Sequence, residues 1–316
     1  MPLQILSSTA KIKALPGGAN SRCFKISAEN GQFLLKIYSP GHDGRVRLQR
    51  EYTACKFLEK TGVNNVPRAF YRDLNTPAAL YSFVSGTKIT GRKVDRRHIS
   101  EAAAFLKQLK KLSKYPGAAK IGPAGEACLT VRAIIKNLQQ RRQKLEKSTD
   151  TKLKEFLRDR FSPAFQTVVT NLEKIKEPAE RTLSPSDFGF HNAVRVEDGK
   201  LYFIDLEHFG WDDPAKMIAD FLLHPQMRLS RELKEFFLRQ LLPAFGKDLN
   251  LRLKTVYPLF ALKWSLIMLN EFTSEGLSRR QFARNIFDGE LQLKKARQML
   301  QKAMEADKGF PFTLPK

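Results

Sequence analysis

The chain has 316 residues, of which 42% are hydrophobic, and carries a formal net charge of +23. That apolar content excludes a disordered chain, and no apolar run approaches the roughly 18–20 residues of a membrane span. The start, Met1-Pro-Leu-Gln-Ile-Leu6, lacks the basic stretch and apolar core of a signal peptide, and Cys23, Cys55 and Cys128 form no zinc or disulfide pattern, so reduced thiols in a cytoplasmic protein are expected.

The charge is uneven. Residues 1–90 hold 13 basic against 5 acidic side chains, residues 91–180 hold 21 against 10, and residues 181–316 hold 21 against 17. A basic surface of this kind attracts nucleic acid, anionic lipid or an anionic substrate.

In chain order, residues 1–85 read as strands with one helix. Cys23–Ser27 and Gln32–Tyr38 alternate as half-buried strands do, with the turn signal Glu29-Asn30-Gly31 between them. Pro40–Gly44 breaks the chain. Leu48, Glu51, Cys55 and Leu58 then recur at helical spacing until Thr61-Gly62. Arg68–Asp73 and Ala78–Phe83 complete a small antiparallel lobe. A short linker, Val84–Thr87, leads to a larger, mainly helical part, residues 86–316. Helices are expected over Arg96–Ser113, Val131–Lys147, Lys152–Ile175, Ala215–Leu223, Arg231–Leu242, Leu251–Asn270 and Arg279–Ala306. A hydrophobic hairpin, residues 183–207, interrupts them. The fold class expected is therefore α+β.

The hairpin carries the chemistry. Leu183-Ser-Pro-Ser-Asp187-Phe-Gly-Phe-His-Asn192 is followed by Leu201-Tyr-Phe-Ile-Asp205-Leu-Glu207. Asp187, Asn192, Asp205 and Glu207 converge on apolar strands, where acids repel one another unless a cation neutralises them. Oxygen donors of this kind suit Mg²⁺, which binds through one or two protein groups plus substrate phosphates. His191 and His208 are assigned structural roles, because Asp187 and the oxygen ligands suffice. Asp213 reads as a helix cap before Pro214, and Asp220 as a buried hydrogen-bonding group.

The small lobe offers partners for phosphate. Gly17 and Gly18, with Asn20 and Ser21, lie between two predicted strands, where glycines let backbone amides approach anionic oxygens. Lys36 sits mid-strand among apolar residues. Glu51 faces inward on the next helix and needs a counter-charge, which Lys36 can supply.

This set of residues resembles the aminoglycoside phosphotransferase and choline kinase family, small-molecule kinases with a protein-kinase-like two-lobed fold. The resemblance spans about residues 12–225 and is strongest in the Asp187-x-x-x-x-Asn192 and Ile204-Asp205-x-Glu207 spacings. It implies ATP and Mg²⁺ as cofactors and a hydroxylated small molecule as acceptor. Asp187 would be the catalytic base, and Asn192 and Asp205 the magnesium ligands, with Glu207 an accessory acid. Lys36 would hold the α and β phosphates, Glu51 would fix Lys36, and Ala79–Phe83 would lead into the adenine hinge. One departure stands out: where the family usually has histidine two residues before the base, this chain has Pro185.

Two other functional classes are weighed against that reading. A kinase of a lipid-linked or anionic saccharide would use the basic surface at an anionic membrane. A catalytically weak nucleotide-binding protein would be expected to lose the metal ligands, which this chain keeps. A non-enzymatic nucleic-acid binder would leave the acidic hairpin unexplained, and the chain shows no nucleic-acid motif.

Overall fold

The computed structural model describes residues 10–16, 21–89, 93–172, 180–246, 248–282 and 287–315. The N-terminal part is a five-stranded antiparallel sheet. Its strands are β1 (Lys11–Leu15), β2 (Ser21–Ala28), β3 (Gly31–Tyr38), β4 (Ala69–Asp73) and β5 (Ala78–Ser82), in the order β1-β2-β3-β5-β4. The β2–β3 turn falls at the expected place, and Gly31 adopts φ +135°, a value that glycine alone tolerates easily. Register puts Lys36 opposite Cys23 on β2 and Ala79 on β5.

Helix α1 (His42–Lys60) packs on this sheet through Leu48, Cys55 and Leu58, all essentially inaccessible to solvent. It begins earlier than its apolar periodicity suggested. The chain break at Pro40-Gly41 lies immediately before it, and Asp43 in its first turn complements the helix dipole. Gly62, at φ +78°, ends it as expected.

The helical part follows. Asp95 caps α2 (Arg96–Leu112), Thr130 caps α3 (Val131–Glu146) and Asp150 caps α4 (Thr151–Phe156). The single helix expected over Lys152–Ile175 is interrupted. A π-helical turn, Leu157–Phe161, separates α4 from α5 (Ser162–Thr170), where Pro163 lacks the N–H that would continue the regular ladder. Further on lie α6 (Pro214–Leu223), α7 (Arg231–Leu241) and α8 (Asp248–Ile267). The helix expected over Arg279–Ala306 is likewise two elements, α9 (Ser274–Phe282) and α10 (Gly289–Lys308). Asp288 accepts from Leu291 N at 3.0 Å and so restarts the helix.

The C-terminal segment packs against this part, with Phe310 and Phe312 edge-on to Tyr257 at ring separations of 5.2 and 6.0 Å. Among the described residues no helix is long and apolar enough to cross a membrane.

The hairpin segment is built from four short strands. β7 (Thr182–Ser184) pairs antiparallel with β10 (Gly210–Asp212), and β8 (Ala193–Arg195) pairs with β9 (Leu201–Phe203) and with β6 (Thr87–Lys88). Two loops result, residues 185–192 and 204–209. Both open between the sheet and the helices.

Candidate active site

The first loop is pinned from below by its aromatic residues. Phe188 and Phe190 are buried against Phe105, Phe203 and Phe221, with ring separations of 5.0–6.1 Å. Asp187, by contrast, keeps 39% of its side chain exposed. The loop turns tightly: Asp187 N donates to Pro185 O at 2.9 Å, and Ser186 takes φ +65°. Such a left-handed conformation costs a non-glycine residue on the order of 1–3 kcal/mol and persists only where neighbours enforce it. Asn192 Nδ2 donates to Asp187 O at 3.1 Å, and its amide oxygen has no protein partner among the described residues.

The second loop is tied to the first, since Ile204 N donates to Asn192 O at 2.9 Å. Asp205 also has positive φ, +63°. Leu206 is buried beneath it, and its N–H donates to Glu51 Oε1 at 3.2 Å, joining this loop to α1.

Lys36 is the cation at the centre. Its Nζ lies 2.7 Å from Glu51 Oε2, 2.6 Å from Asp205 Oδ1 and 3.1 Å from Glu207 Oε2. The Lys36–Glu51 pair is thus present, while Glu59 pairs instead with Arg68 and Lys56 near the surface. Burial works to lower the Lys36 pKa, but Asp205, Glu207 and Glu51 together push it well above the ordinary lysine value. Burial also favours the neutral form of Glu207, yet Lys36 and Arg47 outweigh it and pull that carboxyl down to about 2. Arg47 Nη1 donates to the other Glu207 oxygen at 2.5 Å. Both oxygens of Glu207 therefore face protein cations.

Two clusters among the described residues bring three potential metal-ligand groups together. Glu51, Asp205 and Glu207 already surround the Lys36 ammonium. Asp187, His191 and His224 form the second cluster, but the two imidazoles stack in parallel, 3.8 Å apart and 4° from coplanar orientation. An ion lying in the plane of one ring would lie out of the plane of the other, so these rings do not suit a shared metal. They instead present their nitrogens to Asp187 Oδ1, with His191 Nε2 at 3.1 Å and His224 Nε2 at 3.4 Å. Burial would raise the Asp187 pKa. The hydrogen bonds from His191 and His224 more than offset it and hold the carboxyl well below its usual range. Burial keeps His224 below the ordinary histidine value.

Several partners were not anticipated from sequence. Tyr38 donates to Glu51 Oε2 at 2.6 Å and shares a hydrogen bond with Tyr81 at 2.8 Å. Its signal was present, because Tyr38 lies two residues beyond Lys36 on the same strand face. Arg47 precedes Glu51 by one helical turn and so shares its face. His224 gave no comparable signal. Ser21 begins β2 and is buried, with Oγ 4.0 Å from Cys23 Sγ. Gly17, Gly18 and Asn20 lie outside the described residues. Asp213 caps α6 as expected, accepting from Ala215 N at 2.8 Å. The three cysteines are unpaired.

The sequence profile of the phosphotransferase enzyme family matches residues 11–250. The chain belongs to the phosphotransferase enzyme family. This phosphotransferase has a protein-kinase-like fold of the α+β class. Its structure is similar to that of choline kinase from Cryptosporidium parvum Iowa II, with 14% identity, coverage of 94% of this chain and 92% of that one, and a TM-score of 0.61. It is similar to choline kinase LicA from Streptococcus pneumoniae, with 14% identity, coverage of 92% and 93%, and a TM-score of 0.62. It also resembles APH(2")-IIa in a ternary complex with streptomycin and ATP, with 18% identity, coverage of 94% and 93%, and a TM-score of 0.63. No curated protein sequence matches this phosphotransferase.

Proposed function

We propose that this phosphotransferase transfers the γ-phosphoryl group of ATP, with Mg²⁺, to a hydroxyl of a small metabolite or sugar. The observation that carries this reading is the joining of two loops, one bearing Asp187 and Asn192 and the other Asp205, beside the buried Lys36–Glu51 pair. Residues 1–85, with Gly17, Gly18, Asn20 and Ser21 over the phosphates, form the nucleotide-binding lobe in this reading. Residues 86–316 form the acceptor lobe.

Asp187 is the base. Its Oδ1 receives the two histidine nitrogens, and Oδ2 has no protein partner among the described residues and can accept the hydroxyl proton. Lys36, fixed by Glu51, directs its ammonium at phosphate oxygens. The Asn192 amide oxygen and the second carboxylate oxygen of Asp205 are hard donors without protein partners among the described residues, and they fit a magnesium ion. Bound magnesium would neutralise charge on the phosphates being separated. Glu207, expected near the metal, is held by Arg47 and Lys36 and is assigned the accessory role of keeping Lys36 in place. A cytoplasmic setting, where thiols stay reduced, accords with this reading.

The test is transfer from γ-labelled ATP to a panel of amino alcohols, aminoglycosides and acidic or phosphorylated sugars. Asp187→Asn should lower turnover on the accepted compound about 10²–10⁴-fold. Equal turnover by wild type and variant would overturn the assignment.

The charged surface favours a second reading, an anionic or lipid-linked saccharide phosphorylated at a membrane. Arg132, Lys136, Lys144, Lys147, Lys152 and Lys154 are all exposed along α3 and α4. Sedimentation with anionic vesicles tests it, and an absence of binding at low salt removes it.

A further inference from the structure

Pro185 occupies the position two residues before the base. It has no N–H and no polar side chain, so it donates no hydrogen bond, and its carbonyl, which accepts from Asp187 N, ties the loop only to itself. Yet Ser186, next to it, is held at φ +65°. Something else must stabilise that conformation.

The neighbouring helix supplies it. Asp212, Lys216, Asp220 and His224 recur every four residues along α6 and its two ends, so they share one face. Lys216 is 1% exposed, within a helix otherwise packed with Met217, Ile218 and Phe221. Its ammonium has three donors and makes three contacts: Asp212 Oδ2 at 2.9 Å, Asp220 Oδ2 at 2.8 Å and Ser186 Oγ at 3.1 Å. Ser186 Oγ in turn donates to Gly125 O at 2.9 Å, and Ser186 N donates to Ser184 Oγ at 3.0 Å.

The far end of the same face reaches Asp187. Asp220 Oδ1 accepts from Trp264 Nε1 at 2.8 Å, and the Trp264 ring stands edge-on to His224, 4.8 Å away at 81°. Gln226 N donates to His224 Nδ1 at 3.3 Å. With Nδ1 accepting, the ring hydrogen sits on Nε2, the atom 3.4 Å from Asp187 Oδ1. The parallel His191 ring directs its own Nε2 to the same oxygen.

We propose that this polar seam of α6 holds the catalytic loop in its working geometry, with Lys216 and His224 as positioning residues that act through Ser186 and Asp187. The proposal rests on the reading of Asp187 as base. Two nitrogens on Oδ1 select one carboxylate rotamer and leave Oδ2 to receive a proton. A displacement of about 1 Å at such a group costs about 10²-fold in rate.

The experiment uses the full chain and the variants His224→Ala, His224→Gln and Ser186→Ala. Lys216→Met would strand two buried aspartates and endanger folding, whereas Ser186→Ala leaves both aspartate pairs intact and removes the Oγ contacts to Lys216 and to Gly125 O. One arm follows hydrogen–deuterium exchange of residues 184–193 in the ligand-free protein. The other follows Mg-ATP turnover with water as the acceptor. His224→Ala and Ser186→Ala should exchange about tenfold faster in this segment alone. His224→Ala should lose about tenfold or more in kcat while KM for ATP stays within about twofold. His224→Gln, whose amide nitrogen can reach Oδ1, should recover most of that loss. Unchanged exchange in both alanine variants, or an effect on KM without one on kcat, overturns the proposal. If wild type turns over no ATP with water or any acceptor, the kinase reading fails, while the exchange arm still decides whether the seam holds the loop.

Discussion

Replacing Lys36 by methionine removes the one cation shared by three carboxylates. Glu51 and Glu207 are each 4% exposed, whereas the Asp205 side chain is 38% exposed and keeps contact with water. The cost therefore falls on the two buried acids. Breaking a buried ion pair by removing one partner costs about 3–5 kcal/mol. Here Arg47 still faces Glu207, and Tyr38 and the Leu206 N–H still reach Glu51, which places the loss near the lower end, about 3 kcal/mol. With an unfolding entropy of about 2.1 cal/mol/K per residue over 316 residues, that corresponds to a melting temperature about 5 °C lower. Circular dichroism melts of Lys36→Met at several pH values provide the assay. A stranded Glu51 gains stability by taking up a proton, so its folded-state pKa rises further, and the variant should lose stability relative to wild type as pH climbs from 5 to 8. Adding Glu51→Gln should recover part of the loss. A variant that melts within about 1 °C of wild type at pH 8 would refute the claim that Lys36 neutralises buried charge.

Other expectations are equally direct. Asn192→Ala and Asp205→Ala should each raise the magnesium concentration needed for half-maximal ATP turnover by tenfold or more, as read from magnesium titrations. The Glu207 carboxyl has a folded pKa of about 2 against an ordinary value of 4.5. Its contribution to stability is therefore complete above pH 4.5 and is lost as pH falls toward 2, and urea melts at pH 5, 4 and 3 should show this decline, shallower in Glu207→Gln. Phe312→Ala should cost about 1–2 kcal/mol in a urea melt, because its half-buried ring packs on Tyr257.

Period and spacing revealed what depends on short stretches of chain. Strand alternation set Lys36 on one face with Leu34 and Tyr38, helical spacing turned Glu51 inward, and the need of an inward acid for a counter-charge paired the two. The Asp187–Asn192 and Asp205–Glu207 spacings survive as two loops joined by one backbone hydrogen bond. What stayed hidden depends on distant chain segments. His224 lies 37 residues beyond Asp187, and only the docking of α6 under the loop brings them together. The split of the expected Arg279–Ala306 helix came from a cap at Asp288, a local signal that the apolar periodicity across it concealed. Lys216 was also concealed by periodicity. It stands on an apolar helix, and only the aspartates one turn on either side mark it as a buried cation.

Protein cations meet part of the charge problem posed by the hairpin. A divalent ion is one way to gather Asp205, Glu207 and Glu51; in this structure the Lys36 ammonium and the Arg47 guanidinium neutralise them. The three contacts to Lys36 are not equivalent. Those to Glu51 and Glu207 are buried and would be costly to break, while the one to Asp205 lies at the solvent edge, where water competes for both groups. The cleft is thus built so that the contact most easily exchanged is the one between Lys36 and Asp205. On the proposed function, an anionic nucleotide entering with a divalent cation would take Lys36 on one side and Asp205 on the other while Glu51 and Glu207 keep the ammonium in place. The same logic separates the acids: burial marks Glu51 and Glu207 as anchors of the ammonium, and exposure leaves Asp205 open to solvent.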